Sequence, residues 1–514
     1  MVKKHAAKVT QRWQFMVMIA LFLCSIWSPA VGASRDKNSA LRQIETIVVI
    51  YAENRSFDNL YGLFPGANGI FKQANGKPAN VKNYRQVDRD GVTPLKTLPA
   101  VWNASGTPGA DNLSLVKDLP NAPFRIDAPP VGLQPDQVTP DLVHRFYNCQ
   151  MQINHGKNNM FAAWSDVGGL AMGYYDGSVM QMWKLAKQYT LADNFFMGAF
   201  GGSFLNHFWL ISARTPLYPD APDNLKSIVE KESPSLSLAS SSPVSALSGK
   251  AVYKADQSLT PDGYAVNTMQ PPYQPSGIPP AADGNPQLAD VSKNPLTPQD
   301  YKTIGDALTD KGVLWVWYAG AWNEALQNRG VINNSKTSNF QTHHQPFNYF
   351  KRFDPATVAG SLERKTHLKD YTDFQKDIAA GTLPAVVFYK PQGNLNQHSG
   401  YADVMTGDRH LASVIRELQK SPQWKKMAII VTYDENGGYW DHVSPPVGDK
   451  WGPGLRIPAI VISPFAKTHY VDHTYYDTTS ILKFITKRFQ LEPLPGVRPQ
   501  SGDLTNAFKF TSSK

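Results

Sequence analysis

Asp434, Glu435 and Asn436 stand together in the stretch TYDENGGYWDHVSPP (432–446), with Asp441 and His442 a few residues on. Adjacent acids repel one another unless protons or a cation offset the charge, so this spacing points to a metal-dependent catalytic site. A second polar cluster lies near the amino terminus: Glu53, Asn54, Arg55 and Ser56, with Asp58 close behind. One such cluster reads equally well as a solvated turn; two that follow apolar runs in the same way favour chemistry. Histidines add candidates: His144 and His155 in HRFYNCQMQINHGKNNM, the pair His343 and His344 in THHQPFNYF, and His398 in KPQGNLNQHSG. A lone histidine is more often a structural group, so these count only as a set. Ser203 follows Gly201 and Gly202 and precedes an apolar run. Its hydroxyl would sit at a helix amino terminus, where backbone N–H groups and the helix dipole favour an anion. The plain alternative is an ordinary N-cap.

The elements that must position these groups are legible in the apolar pattern. IETIVVIY (44–51) and MAIIV (427–431) are uncharged, β-branched runs of the kind buried in parallel sheets. VLWVWY (313–318), LPAVVFY (383–389) and Ile457 to Ile462 repeat the pattern. Helices are predicted between them: a segment opening at His144 and closing near Gly156, and an amphipathic stretch from Tyr174 to Tyr189 with Met180, Trp183, Leu185 and Ala186 inward. Others run from Thr303 to Asp310, from an N-cap at Asp408 with Leu411, Val414, Ile415 and Leu418 inward, and from Thr478 to Phe489 capped by Asp477. Strands alternating with helices imply an α/β fold: a doubly wound, mostly parallel central sheet with helices on both faces. In such sheets ligands bind at the carboxyl ends of the strands, which is where both acid clusters and His398 fall. From Pro216 to Gln299 the chain turns rich in Pro, Ser and Ala, a loop-rich insertion that would pack on the core and wall a pocket.

The amino terminus reads as a signal peptide over residues 1–33. Lys3, Lys4, Lys8 and Arg12 precede an apolar core from Phe15 to Trp27, and Val31-Gly32-Ala33 offers small residues for cleavage after Ala33. Residues 34–514 would then form one exported catalytic domain, periplasmic or secreted. The formal net charge of +9 falls to about +5 without the leader, too mild and too dispersed for nucleic acid. Cys24 leaves with the leader, so Cys149 has no partner for an intrachain disulfide.

These stretches together resemble the bacterial phosphoesterase family of secreted phospholipases C and respiratory-burst-inhibiting acid phosphatases, similar in core fold to alkaline phosphatases. The resemblance runs through IVVIYAENRSFDNLYG, HRFYNCQMQINHGKNNM, MGYYDG, FGGSFLNH, NQHSGYADV, YDENGGYWDHVSPP, GLRIPAIVISP and YYDTTSILKFI. It implies Glu53, Asn54, Ser203, Asp434 and Glu435 as metal ligands, with Ser203 also the nucleophile. It places His144, His398 and His343 or His344 around the phosphate. One departure stands out: the family often has proline before the nucleophile and shortly after it, whereas this chain reads Gly202-Ser203-Phe204-Leu205-Asn206-His207.

The chemistry implied is consistent with the residues. A serine hydroxyl becomes a competent nucleophile when a metal activates it. Oxygen donors favour one divalent Mg, Ca or Mn ion, with Zn or Fe open because of the nearby histidines. A phosphate ester is the implied substrate, with membrane contact only if that ester is a phospholipid. Acid phosphatase action on monoesters through a phosphoserine is the first expectation, because the larger phospholipases of the family carry additional carboxyl-terminal β domains. Phospholipase C action on phosphatidylcholine-type diesters is the alternative, and a secreted binding protein with a vestigial site ranks lower. A sulfatase is disfavoured, since no Cys-x-Pro-x-Arg motif is present. A protonated His144, His398 or His442 would hold the phosphate or protonate the leaving group. Imidazole titrates near ~6.5, which favours acid pH.

Overall fold

The computed structural model describes residues 40–100, 116–231 and 234–510. The expected signal peptide lies outside them, and among them no helix is long and apolar enough to cross a membrane. Eight strands form the central sheet: β1 Thr46–Ala52, β2 Thr190–Ala192, β3 Trp315–Ala319, β4 Leu368–Asp370, β5 Val386–Lys390, β6 Met427–Tyr433, β7 Ala459–Ile462 and β8 Tyr470–Asp472. Their order is β8-β2-β7-β6-β1-β5-β3-β4. β7 runs antiparallel to both of its neighbours, and every other pairing is parallel. β1 and β6 are buried at all positions, which is why they read as continuous apolar runs rather than alternating ones.

The helices that frame the site are α1 Phe57–Tyr61, α2 Phe146–Ile153, α3 Gln181–Gln188, α4 Ser203–Ser212, α5 Ile304–Asp310, α6 Tyr371–Ala380, α7 Val404–Lys420 and α8 Thr478–Phe489. Register shows that they cover both faces. Ile50 of β1 pairs with Tyr389 of β5, so Tyr389 lies on Ile50's face and Tyr51 on the other. The Tyr389 hydroxyl meets His410 of α7 at 2.6 Å, whereas the Tyr51 hydroxyl donates to Asn206 O of α4 at 3.2 Å. α4 packs on α8, and α7 packs on α3 and α6. The sheet is therefore doubly wound, as its sequence pattern implies.

Several local expectations need correction. His144 is not helical: α2 begins at Phe146, after the extended Arg145. The amphipathic segment from Tyr174 condenses into the shorter α3, capped by Met180, with Leu185 only partly buried. Asp408 does not cap its own helix. Asp403 does that, accepting from Thr406 N. Asp408 sits a turn further in and accepts from Gln181 N and Met182 N at 2.7 and 2.8 Å, closing the amino terminus of α3 instead. A one-turn shift along a helix changes which neighbour a side chain meets, and periodicity cannot see that. Asp477 caps α8 as expected, with a reciprocal bond from Asp477 N to Ser480 Oγ.

The 216–299 stretch is irregular, built from short 3-10 turns and isolated bridges such as Leu217 with Tyr264 and Leu238 with Tyr253. It is tied to α2 by polar contacts: Asn267 Oδ1 accepts from Phe146 N at 3.0 Å, and Arg145 pairs with Asp256 at 2.7 Å. Cys149 of α2 is buried and free.

Candidate active site

Register delivers the two acid clusters side by side. Ala52 and Tyr433, the last residues of β1 and β6, are paired, so Glu53 and Asp434 emerge next to each other. Asp434 N donates to Ala52 O at 3.0 Å, and Arg55 N to Glu435 O at 3.0 Å, so the ladder continues past the strand ends. Asn54 takes the left-handed conformation (φ 62°), and its N–H donates to Asp434 Oδ1 at 3.0 Å. Gly437 and Gly438 also have positive φ. A Cβ on Gly437 would lie 2.2 Å from Asn54 O, so only glycine lets the two loops touch.

Ser203 is the first residue of α4, after the extended Gly202, and it does not cap the helix. Its hydroxyl instead donates to Asn54 Oδ1 at 3.2 Å, 5% of the residue being exposed. Asn206 holds the preceding turn, donating to Ala199, Gly201 and Gly202 carbonyls and accepting from Ala199 N. The nucleophile candidate is thus fixed at a helix amino terminus with its oxygen directed at the acid-bearing loops.

Glu53 is fully buried and heavily engaged. Lys390, the last residue of β5, places Nζ 2.8 Å from Glu53 Oε1 and 3.6 Å from Asp434 Oδ2. His344 Nε2 touches the same Oε1. Tyr401 donates to Glu53 Oε2 at 3.1 Å, and His398 Nε2 stands 3.9 Å from it. His144 Nε2 lies 3.2 Å from Asn54 Nδ2 and 3.8 Å from Glu435 Oε1, with its ring 5.6 Å from that of His398. His343 and His344 are buried, His344 stacking on His207, whose Nδ1 lies 2.7 Å from Ser203 O.

Burial and neighbouring charges shift the acids and histidines of this cluster. Burial raises Glu435 well above an ordinary carboxyl, despite His144. Burial likewise raises Asp434, against the opposing pull of Lys390. Glu53 is burdened by burial too, but Lys390 and His344 outweigh it and hold the carboxyl well below its usual range. Burial opposes charge on His144, yet Glu435 and Asp141 prevail and lift it to about 9. These carboxyls favour the protonated form of His144. Burial pushes His344 down to about 4, and His207 and His343 well below 6.5.

Asp434 Oδ2 and Glu435 Oε1 are buried without a hydrogen-bond partner. Such oxygens are costly unless something polar meets them, and hard oxygen donors fit a divalent cation. Glu53, His207 and Asp434 bring ligand atoms within 4.8 Å of one another, as do Glu53, His343 and His344. These residues are candidates to hold a metal ion.

His442 does not join them. Its N–H and Nδ1 both meet Asp58 Oδ2 at 2.7 Å, and Arg456 bridges Asp58 and Asp441 at 3.0 and 3.1 Å. This ion group ties the loop after β1 to the loop after β6 and places His442 apart from Glu53, Asp434 and Glu435. His155, also with positive φ, lines a separate cavity of about 460 Å³ with Arg89, Met151 and Trp164. Lys390 is absent from the set expected from sequence. The signal was present: a charged residue closing the apolar strand AVVFYK, at a carboxyl end.

Residues 44–492 match the family described as the phosphoesterase family. The chain belongs to the phosphoesterase family. It is a hydrolase acting on phosphoric ester bonds, and a phosphate ester is its substrate. It is 25% identical to phospholipase C B of Mycobacterium tuberculosis over 92% of this chain and 79% of that protein. It is 22% identical to the non-hemolytic phospholipase C of Pseudomonas aeruginosa, over 94% of this chain and 59% of that one. Among solved structures, it is similar to an alkaline phosphatase superfamily protein from Vibrio parahaemolyticus: 11% identity, 74% and 75% coverage, TM-score 0.32.

Proposed function

We propose that this phosphoesterase cleaves phosphodiesters of the phospholipase C kind through a covalent phosphoryl ester on Ser203. The observation that carries the role of Ser203 is its hydroxyl, 3.2 Å from Asn54 Oδ1 at the amino terminus of α4, between the two acid-bearing strand ends. Phosphoryl transfer is largely positioning and charge stabilisation, and both are built here. Asn54, Ser203, Asp434, Glu435 and Glu53 would hold one divalent cation, with Mg, Ca or Mn favoured by the oxygen donors and Zn or Fe kept open by His207, His343 and His344. Such an ion would lower the serine hydroxyl's pKa, so that its proton is lost to water, and would offset phosphate charge. Ser203 Oγ bonds to phosphorus as the bond to the leaving alcohol breaks. His144 or His398 protonates the departing oxygen, leaving Ser203 joined to the phosphoryl group with its remaining ester, such as phosphocholine, and water then hydrolyses that bond to release the phosphomonoester.

Diester over monoester rests on similarity to phospholipases C along nearly the whole chain. It replaces the expectation of monoester preference, which leaned on chain length. That argument does not separate the two, because the chain spans 79% of phospholipase C B. A monoesterase remains the second reading, supported by the near-complete burial of Ser203, which suits a small ester. Purified protein assayed with phosphatidylcholine, an aryl phosphodiester and an aryl phosphate, with and without chelator, decides between them. Faster cleavage of the monoester than of either diester would make the protein a phosphatase. Export rests on the leader's pattern, and amino-terminal sequencing of exported protein should start at or near Ser34.

A further inference from the structure

The metal-type donors around Glu53 outnumber what one cation needs. Besides the oxygens of Asp434, Glu435, Asn54 and Ser203, three imidazoles crowd one side. Glu53, His343 and His344 offer ligand atoms within 4.8 Å of one another. His207 Nε2, His343 Nδ1 and His344 Nδ1 are buried without a hydrogen-bond partner. Imidazoles with a shared carboxylate are the donor set of a borderline divalent ion such as zinc.

That place already has a positive charge. Lys390 is fully buried at the end of β5, and its Nζ contacts the Glu53 Oε1 that His344 also touches. It reaches Asp434 Oδ2 at 3.6 Å and Ala52 O at 3.5 Å, and lies 5.2 Å from the centre of the Tyr51 ring. The ammonium therefore bridges the acids of both strand ends. A divalent ion beside it would meet like charge at contact distance in a site with little water to screen it. We infer that Lys390 is a built-in second cation: its ammonium satisfies the Glu53 carboxylate that His343 and His344 would otherwise share with a zinc-class ion, and so holds the centre to a single metal.

The inference rests on the metal centre proposed above, and metal counting separates the two. Metal-free protein is titrated with zinc by calorimetry, and bound metal is counted after desalting. The wild type should bind one equivalent and lose it in Asp434→Ala; retention there refutes the metal centre itself. Lys390→Met, similar in length but uncharged, should bind two equivalents. The double variant Lys390→Met/His344→Ala should fall back to one. A wild type that binds two, or a Lys390→Met protein that still binds one, overturns the role of Lys390. Should Lys390→Met not fold, Lys390→Gln carries the same expectation, and the wild-type count stands without either variant.

Discussion

Replacing Ser203 with alanine should separate chemistry from stability. The hydroxyl donates one hydrogen bond, to Asn54 Oδ1, and does not cap α4. Losing a bond of that kind costs about 1 kcal/mol net, and alanine returns a few tenths as the better helix former. In a chain of 514 residues that should lower Tm by no more than about 2 °C. Turnover should respond on a different scale. Without Oγ there is no acceptor for the phosphoryl group, so kcat should fall by at least about a thousandfold, or about 4 kcal/mol of barrier at ~1.36 kcal/mol per tenfold. Phosphate or phosphocholine release and a thermal melt, run on the same preparation, give both numbers. Acid quenching of the wild type during turnover should leave the transferred group on Ser203, phosphocholine from phosphatidylcholine or phosphate from a monoester, located by peptide mass spectrometry. An alanine variant that melts normally and retains turnover within tenfold of wild type would refute the serine mechanism and direct attention to an activated water.

Asp434→Ala should stay folded while losing bound metal and nearly all turnover; full activity in demonstrably metal-free protein would sink the metal role. Arg456→Met leaves Asp58 and Asp441 buried without their shared partner, so denaturant titration should show about 3–5 kcal/mol lost, and an unchanged midpoint would contradict that reading. His410 is partly buried beside Tyr389, and burial depresses it to about 4. Its folded value lies below the free value of ~6.5, so the unfolded chain binds more protons between the two. Stability is then full above about pH 6.5 and declines toward pH 4, by no more than about 3 kcal/mol. His410→Gln should flatten that decline, and an unaltered slope would place the titration elsewhere.

The positions of the acids, the serine and His398 at strand or helix ends were legible in the chain itself. Uninterrupted β-branched runs such as IETIVVIY and MAIIV mark strands buried on both faces, and whatever follows them in a parallel sheet must lie at its carboxyl edge. Asp477 was legible for a similar reason, because a capping bond spans only a few residues and is written locally. What the tertiary structure alone decided concerns residues far apart in the chain. His442 lies close in sequence to Asp434, yet Asp58 and Arg456 hold it in a separate ion group. Asp408 has the local setting of a cap for its own helix and closes α3 instead, 227 positions from Gln181 in the chain. Lys390 follows Tyr389 in an ordinary-looking strand, and its meaning comes from the pairing of β1 with β5 and β6 that sets its ammonium between Glu53 and Asp434. Pattern reports which face or end a residue occupies. Which charge it meets there depends on strand order and register, and those are properties of the assembled sheet.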